Sequence, residues 1–375
     1  MEKLNTMIWS RESSLFSNKN SGENWIRHEN GEIEKFEIAI KSGKKTNLLR
    51  LKNDIVKNLT SKIEYYRDSR TKLYNGDTEY VGSCPISGIP TEKTSLVANI
   101  YGAEYVQTPD LGHVYVKNRP SKKSIHNFYL NDITYASTYT DKSGAEFRLN
   151  NIAIPWLDWT LEVYFQQFKA MPKRILDVGS GAGHFVEACR RRGIEAEGIE
   201  LSENSRKFAK EIWGIDMDGR DFTKVSTEYS GYDIVTFWGL LEHTPNPKQI
   251  LKHAFNIVSQ SKNGGMVISK LPRWDSLSTA SQVLNPKTII RHADPMGHIM
   301  LFSDASAAEL YYQCGLKITN AWYYGMDVYE TFMQLGNNTQ HYEAFVNSGI
   351  FQMDLQDYID IFKISDGLTI AGIVK

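Results

Sequence analysis

Asp177-Val178-Gly179-Ser180-Gly181-Ala182-Gly183 follows the apolar pair Ile175-Leu176 and precedes a helix-like segment, His184 to Arg192. An apolar strand, a glycine turn and a helix N-terminus, in that order, form the crevice in which α/β proteins hold nucleotide-like ligands. The glycines read G-x-G-x-G, one residue tighter than the dinucleotide fingerprint G-x-G-x-x-G. An acidic residue stands two positions before the first of them. Glycine at 179, 181 and 183 lets the backbone turn sharply and approach a ligand with no Cβ in the way.

Outward from the loop, strand-like and helix-like segments alternate from residue 150 onward, the pattern of a parallel sheet covered by helices. Strands are expected at 175–178, 197–200, just before Asp221, and at 232–238, 265–270, 316–323 and 368–374. Helices are expected at 184–192, 202–212 (with Ser202 as N-cap), 246–258 and 303–314, and 271–298 reads as a long irregular insertion. Ahead of this domain (150–375), residues 80–149 read as a small β-rich module with turns at 84–88 and 108–112. Residues 1–79 are expected to be a mainly helical extension, because Leu49, Ile55, Leu59, Ile63 and Tyr66 fall at helical spacing.

Two further segments narrow the class. Glu200 ends the second strand, about 20 residues beyond the loop, where a carboxylate can accept both hydroxyls of a ribose. Tyr232-Asp233-Ile234-Val235-Thr236-Phe237-Trp238-Gly239-Leu240-Leu241-Glu242-His243 closes the fourth. Together with the loop they resemble the class I S-adenosylmethionine-dependent methyltransferases over about residues 150–323. The resemblance implies an α/β, Rossmann-like sheet of seven strands with helices on both faces, the last strand inserted antiparallel, and S-adenosyl-L-methionine as cofactor. It places Asp177 near the methionine ammonium, Glu200 at the ribose, and Asp221 at the adenine amino group with Phe222 flanking the ring. Gly179, Ser180, Gly181, Gly183, Leu201 and Trp238 complete the expected donor site. No Asn/Asp-Pro-Pro-Tyr/Phe stretch, the motif of enzymes that methylate planar nitrogens, follows the fourth strand.

Methyl transfer is an in-line displacement at a sulfonium carbon, so the protein mainly holds the nucleophile about 3 Å from the methyl and removes its proton. Histidine has a suitable unperturbed pKa for a hydroxyl acceptor. His243 and His298 are the candidate bases or orienting groups, with Glu242 beside them; Arg273, Trp274 and Tyr139 are the candidate acceptor contacts. Ubiquinone-type O-methyltransferases carry a second glutamate three residues before the Glu-His pair, and some bind a divalent ion there. Gly239 occupies that position here, so no metal is expected.

Residues 80–149 resemble the N-terminal zinc-ribbon module of some sugar and natural-product methyltransferases, Lys117-Asn118-Arg119-Pro120-Ser121 included. Cys84, Ser87, Thr108 and Leu111 stand where that module has four cysteines, so the ribbon shape is expected without its zinc. The stretches 322–330 and 356–367 resemble enzymes of surface-polysaccharide and secondary-metabolite pathways. The expected acceptor is therefore a hydroxyl or activated carbon of a sugar-like or natural-product molecule.

A net charge of −1 argues against a surface built to grip nucleic acid. Three scattered cysteines do not make a disulfide framework. No signal-peptide pattern opens the sequence and no window reaches the length of a membrane span, so a cytoplasmic protein is expected. The partner expectations are a small-molecule acceptor and a homodimer, with no membrane and no nucleic acid. A protein or RNA methyltransferase docking through the basic residues of 40–75 and a noncatalytic scaffold are the alternatives.

Overall fold

The computed structural model describes residues 8–12, 20–44, 58–125, 141–339 and 349–375. Leu49, Ile55, Tyr135 and Tyr139 lie outside them.

The described residues between 8 and 42 form strands rather than the mainly helical extension expected there: β1 (Ile8–Glu12), β2 (Asn20–Glu29) and β3 (Glu32–Ser42) make an antiparallel meander. The signals are local. Asn30 and Gly31 take φ of 51° and 84°, the left-handed pair of the tightest hairpin turn, and Glu29 pairs with Glu32 across it. Phe36, Ile38 and Ile40 are buried at every second position while Glu37 and Ala39 face out, the period of a half-buried strand. Among the described residues the first helix is Leu59–Tyr74. Arg70, one of the basic residues that the protein- or RNA-methyltransferase alternative would use, is buried, bonded through Nε and Nη2 to Asp294 at 2.9 and 3.1 Å, and lies over the Tyr66 ring.

The small module comprises β4 (Thr78–Tyr80), β5 (Ser95–Ile100), β6 (Ala103–Gln107), β7 (Val114–Val116) and β8 (Asn118–Pro120). In its first turn the amides of Ile86 and Ser87 both point at Cys84 Sγ, 3.4 Å away. In its second the Thr108 side chain accepts from the His113 amide at 3.2 Å. Cys84, Ile86 and Leu111 are buried in one apolar cluster, and burial raises the Cys84 thiol pKa.

The remaining strands are β9 (Arg174–Val178), β10 (Glu195–Ile199), β11 (Ile234–Trp238), β12 (Met266–Pro272), β13 (Met300–Leu301), β14 (Leu316–Tyr323) and β15 (Gly367–Val374). The main sheet runs β1-β2-β3-β14-β15-β12-β11-β9-β10. β10, β9, β11 and β12 are parallel, and β15 inserts antiparallel between β12 and β14. This is the α/β architecture expected from the sequence, widened by the meander, whose β3 pairs parallel with β14. The strand expected before Asp221 is reduced to one parallel bridge, Ile199 to Asp218. The insertion is not wholly irregular: it holds a helix, Leu277–Leu284, capped by Ser276. β13 then pairs with β7, tying the module to the domain.

Alternation along the central strands feeds two cores. Leu176, Val235, Phe237 and Val267 pack on one face of the sheet, and Ile175, Ile234, Met266 and Ile268 on the other. Strands covered on both faces carry apolar residues at every position, which is why this part was readable as strands.

Arg273, expected at the acceptor, is structural instead. It is 1% exposed, donates to Asp304 at 2.8 and 3.2 Å, and donates to the carbonyls of Lys363 and Ser365. Arg11 of β1 reaches the same Asp304 at 2.5 Å. Four of its five N–H donors are thus committed within the protein, which holds the guanidinium in place as a strut. Removing one partner of a buried pair costs about 3–5 kcal/mol. Arg273→Met should therefore lower unfolding free energy in a denaturant melt by about 3 kcal/mol while leaving donor affinity in the folded fraction unchanged.

Candidate functional site

The glycine loop lies at the carboxyl end of β9. Gly179, Gly181 and Gly183 all have positive φ (75°, 53° and 74°), and Gly183 opens the helix His184–Arg191. The loop is pinned from below: the amides of Gly179 and Ser180 donate to Ile199 O at 2.8 and 3.1 Å, and Ser180 Oγ donates to Asp177 O at 2.6 Å. Above it there is room, since a Cβ on Gly181 would meet no atom within 4 Å. Gly181→Ala should cost only about 1 kcal/mol of stability from the left-handed backbone. The added methyl would occupy that open space, so binding of S-adenosylhomocysteine should weaken roughly tenfold, about 1.4 kcal/mol.

Glu200 closes the loop. Its Oε2 accepts from the Gly181 amide at 2.8 Å and its Oε1 from the Ser202 amide at 2.7 Å. Each carboxylate oxygen keeps a second lone pair for a ribose hydroxyl. Asp221 caps the short helix Phe222–Val225 through Oδ1, which accepts from the Thr223 amide and hydroxyl at 2.9 and 2.8 Å. Leu201, 66% exposed, stands on the rim. Phe222 departs from expectation: it is buried, its ring 6.1 Å from that of Phe237, so it belongs to the core and cannot flank a ligand.

Asp177 is buried and accepts from Thr236 Oγ1 at 2.7 Å. Burial pushes its carboxyl up to about 7, against the pull of the Thr236 hydrogen bond. Trp238, at the end of β11, stacks on Trp156 with ring centroids 4.4 Å apart and planes 4° from parallel. Its Nε1 is buried without a hydrogen-bond partner. Trp156 Nε1 in turn donates to Tyr324 Oη at 2.6 Å.

The turn after β11 carries Glu242 and His243, and the insertion lays His298 against them. The Ile299 amide donates to Glu242 O at 3.1 Å, and Tyr105 of the module holds His298 O at 2.9 Å. Glu242 Oε1 lies 3.7 Å from His243 Nε2 and 3.8 Å from His298 Nε2. His298 Nδ1 bonds to the His292 carbonyl. A carbonyl only accepts, so Nδ1 carries the hydrogen and the Nε2 lone pair faces Glu242. Burial holds His298 well below the ordinary histidine pKa, with His243, His292 and Arg291 adding to the effect. Burial also raises Glu242, whose Oε2 is an orphan, as is His243 Nδ1.

Electron-rich atoms thus converge at the end of β11, with gaps of 3.7 and 3.8 Å between Glu242 Oε1 and the two imidazole nitrogens. The same three groups offer one ligand atom each within 4.8 Å, a mixed N,N,O set able to hold a divalent ion. That capacity was not anticipated from the sequence. A side chain at 239 would crowd it, because Gly239 has φ 84° and a Cβ there would sit 3.3 Å from Glu242 Oε1.

His292 is structural, its Nε2 in contact with Thr279 Oγ1 at 2.9 Å and Arg273 O at 3.0 Å. Trp274 packs against the module's apolar cluster. Tyr139 falls outside the described residues. Sequence reasoning passed over Lys270, the register partner of Trp238 on β12. The carboxyl ends of parallel strands are where open sheets bind ligands, and that rule pointed to it.

Comparison with known proteins agrees with this geometry. A protein-family model described as a methyltransferase domain matches residues 152–321. The chain is similar to ubiquinone biosynthesis O-methyltransferase of Bordetella avium, 34% identical over 125 residues, 32% of this chain and 46% of the relative. It is similar also to the Dechloromonas aromatica protein of that name, 32% identical over 148 residues, 38% of this chain and 55% of the relative. The chain spans about half the length of the curated relatives it matches. Among solved structures, the plantazolicin methyltransferase BamL, in complex with a triazolic desmethylPZN analog and SAH, aligns with TM-score 0.41 and 17% identity. That alignment covers 64% of this chain and 94% of BamL. No helix among the described residues is long and apolar enough to cross a membrane. With loop, acidic strand end and Glu-His turn in one crevice, residues 152–321 constitute a class I S-adenosylmethionine-dependent methyltransferase domain.

Proposed function

We propose that the chain transfers the methyl group of S-adenosylmethionine to a hydroxyl of a small molecule. The observation that carries this reading is the convergence of His298 Nε2, Glu242 and His243 at the end of β11, the strand beside the donor loop. A hydroxyl placed in that gap gives its proton toward His298 as the oxygen attacks the methyl carbon in line, and the sulfonium leaves as a neutral thioether. The O-methyltransferase names of the relatives favour oxygen over carbon or nitrogen. The sugar-like or natural-product character of the acceptor rests on the resemblance of residues 80–149 and of the C-terminal stretches. Labelled-methyl transfer to a panel of catechols and nucleotide sugars tests it. S-adenosylhomocysteine bound by calorimetry with no labelled product from any hydroxyl would sink the acceptor reading; no binding at all would sink the enzyme.

Donor affinity should also depend on pH. A methionine ammonium near Asp177 favours the ionised carboxyl, and its free-state value is about 7. Below that value binding must expel a proton, so affinity should fall as pH drops from 8 to 6, by up to about tenfold per unit. Calorimetry of Asp177→Asn should show that slope abolished.

A second reading rests on the three ligand atoms within 4.8 Å. A divalent ion held by Glu242, His243 and His298 would supply Lewis acidity to the acceptor hydroxyl. Elemental analysis and metal titration of the wild type and of Glu242→Gln decide it; a wild type that takes up neither zinc nor manganese removes this reading.

A further inference from the structure

Two donor groups at the acceptor end of the crevice lack acceptors. Trp238 and Lys270 are register partners on adjacent parallel strands, so their side chains leave the same face of the sheet. That face carries Trp156, Phe185 and Tyr324. The Trp238 indole N–H is buried and unpartnered. Lys270 is half-buried, and among the described residues no carboxylate lies within ion-pair distance of its ammonium. Its Nζ stands 5.9 Å from the centre of the Tyr324 ring, and that of Lys44 stands 5.6 Å from the same centre. The nearest acidic groups are occupied or turned elsewhere. Asp366 is bonded by Arg291, Ser278 and the Met326 amide, and Glu242 faces the histidine pair.

Lysine is rarely withdrawn from water without a partner, since an unpaired buried charge is costly. We propose that Lys270 and Trp238, flanked by Lys44, form an anion subsite, so that the methyl acceptor carries a carboxylate or phosphate group besides its hydroxyl. The inference rests on the methyltransferase reading above. An ammonium and an indole N–H offer only hydrogens, and an oxyanion offers only lone pairs. The carboxylate oxygen Glu242 Oε2, which also lacks a partner, selects the opposite end of the same molecule, the hydroxyl. Burial lowers the Lys270 pKa, with Asp366 and Glu242 opposing, and a bound oxyanion would restore it.

The donor also carries a carboxylate, so the test separates the two sources. Benzoate and inorganic phosphate are titrated calorimetrically into the protein with and without saturating S-adenosylhomocysteine, in the wild type and in Lys270→Met. The expected result is that one of the two anions binds the S-adenosylhomocysteine complex and that Lys270→Met weakens it at least about tenfold. Affinity for S-adenosylhomocysteine itself should be unchanged. The melting temperature of Lys270→Met should equal or exceed that of the wild type, because methionine fills the space without an unpaired charge. Binding of neither anion, or equal binding by the variant, overturns the proposal. A variant that loses S-adenosylhomocysteine instead also overturns it, because Lys270 would then hold the donor's own carboxylate. Failure of the wild type to bind S-adenosylhomocysteine is a separate result, which removes the underlying reading while the anion titration without it still reports on the subsite.

Discussion

Glu200→Gln should weaken S-adenosylhomocysteine binding by roughly 100-fold or more, about 3 kcal/mol. The carboxylate does two tasks at once. It accepts from the amides of Gly181 and Ser202, fixing the loop, and it presents its remaining lone pairs to the two ribose hydroxyls. Glutamine keeps the shape but replaces one oxygen with an NH2 group, which must then face either a backbone N–H or a ribose hydroxyl held by the other oxygen. One amide donor of the loop loses its acceptor, and the charge assistance is lost from every bond. Hydrogen bonds to a charged group are worth about 1.5–3 kcal/mol each, so two weakened contacts account for the expected loss. Because neither amide is in the core, the melting temperature of the unliganded variant should change little. A Glu200→Gln protein that binds S-adenosylhomocysteine within threefold of wild type would show that the ribose is held elsewhere.

His298→Ala should lower kcat by roughly 10²–10⁴, the usual contribution of a positioned base, with donor affinity intact. The imidazole is fixed from behind by the His292 carbonyl and stays neutral well below the ordinary histidine value because it is buried beside other cationic or protonatable groups. A group whose pKa is depressed is in its basic form throughout the neutral range. Measured with the donor saturating, so that Asp177 does not contribute, the kcat/KM profile for the acceptor should therefore be flat from about pH 6.5 upward, with any acid limb shifted lower. Glu242→Gln is the companion variant: it removes the carboxylate that both Nε2 atoms face and should also slow turnover. If His298→Ala and Glu242→Gln each retain more than half of wild-type kcat, catalysis is by positioning alone and the proton leaves to water.

Glu200 was legible from spacing alone, because the strand–loop–helix–strand unit fixes where the second strand ends relative to the glycine turn. The pairing of His298 with Glu242 was not. The two residues are far apart in sequence, and either histidine could equally have capped a helix. What joins them is β13, whose pairing with β7 swings the insertion over the end of β11. Arg273 and Phe222 show the converse. Both sit where the family pattern puts ligand contacts, but Asp304 and Phe237 claim them. The N-terminal hairpin is written in Asn30-Gly31 and in the period of two of Phe36, Ile38 and Ile40, whereas the helical spacing after residue 48 carries no information about the residues ahead of it.

The sequence by itself determined the parallel α/β core and the donor crevice. Continuous apolar runs, a glycine turn and an acidic strand end are local features, and local backbone physics dictates what they form. Only the tertiary structure decided the acceptor end. Whether a histidine, lysine or arginine is a base, a ligand contact or a strut depends on which distant residue supplies its counter-charge. Arg273 finds Asp304 and is closed off; Lys270 has no carboxylate within ion-pair distance among the described residues, and so is a candidate for a ligand contact. Chain order carries no record of that difference, because the deciding partners arrive through long-range strand pairing.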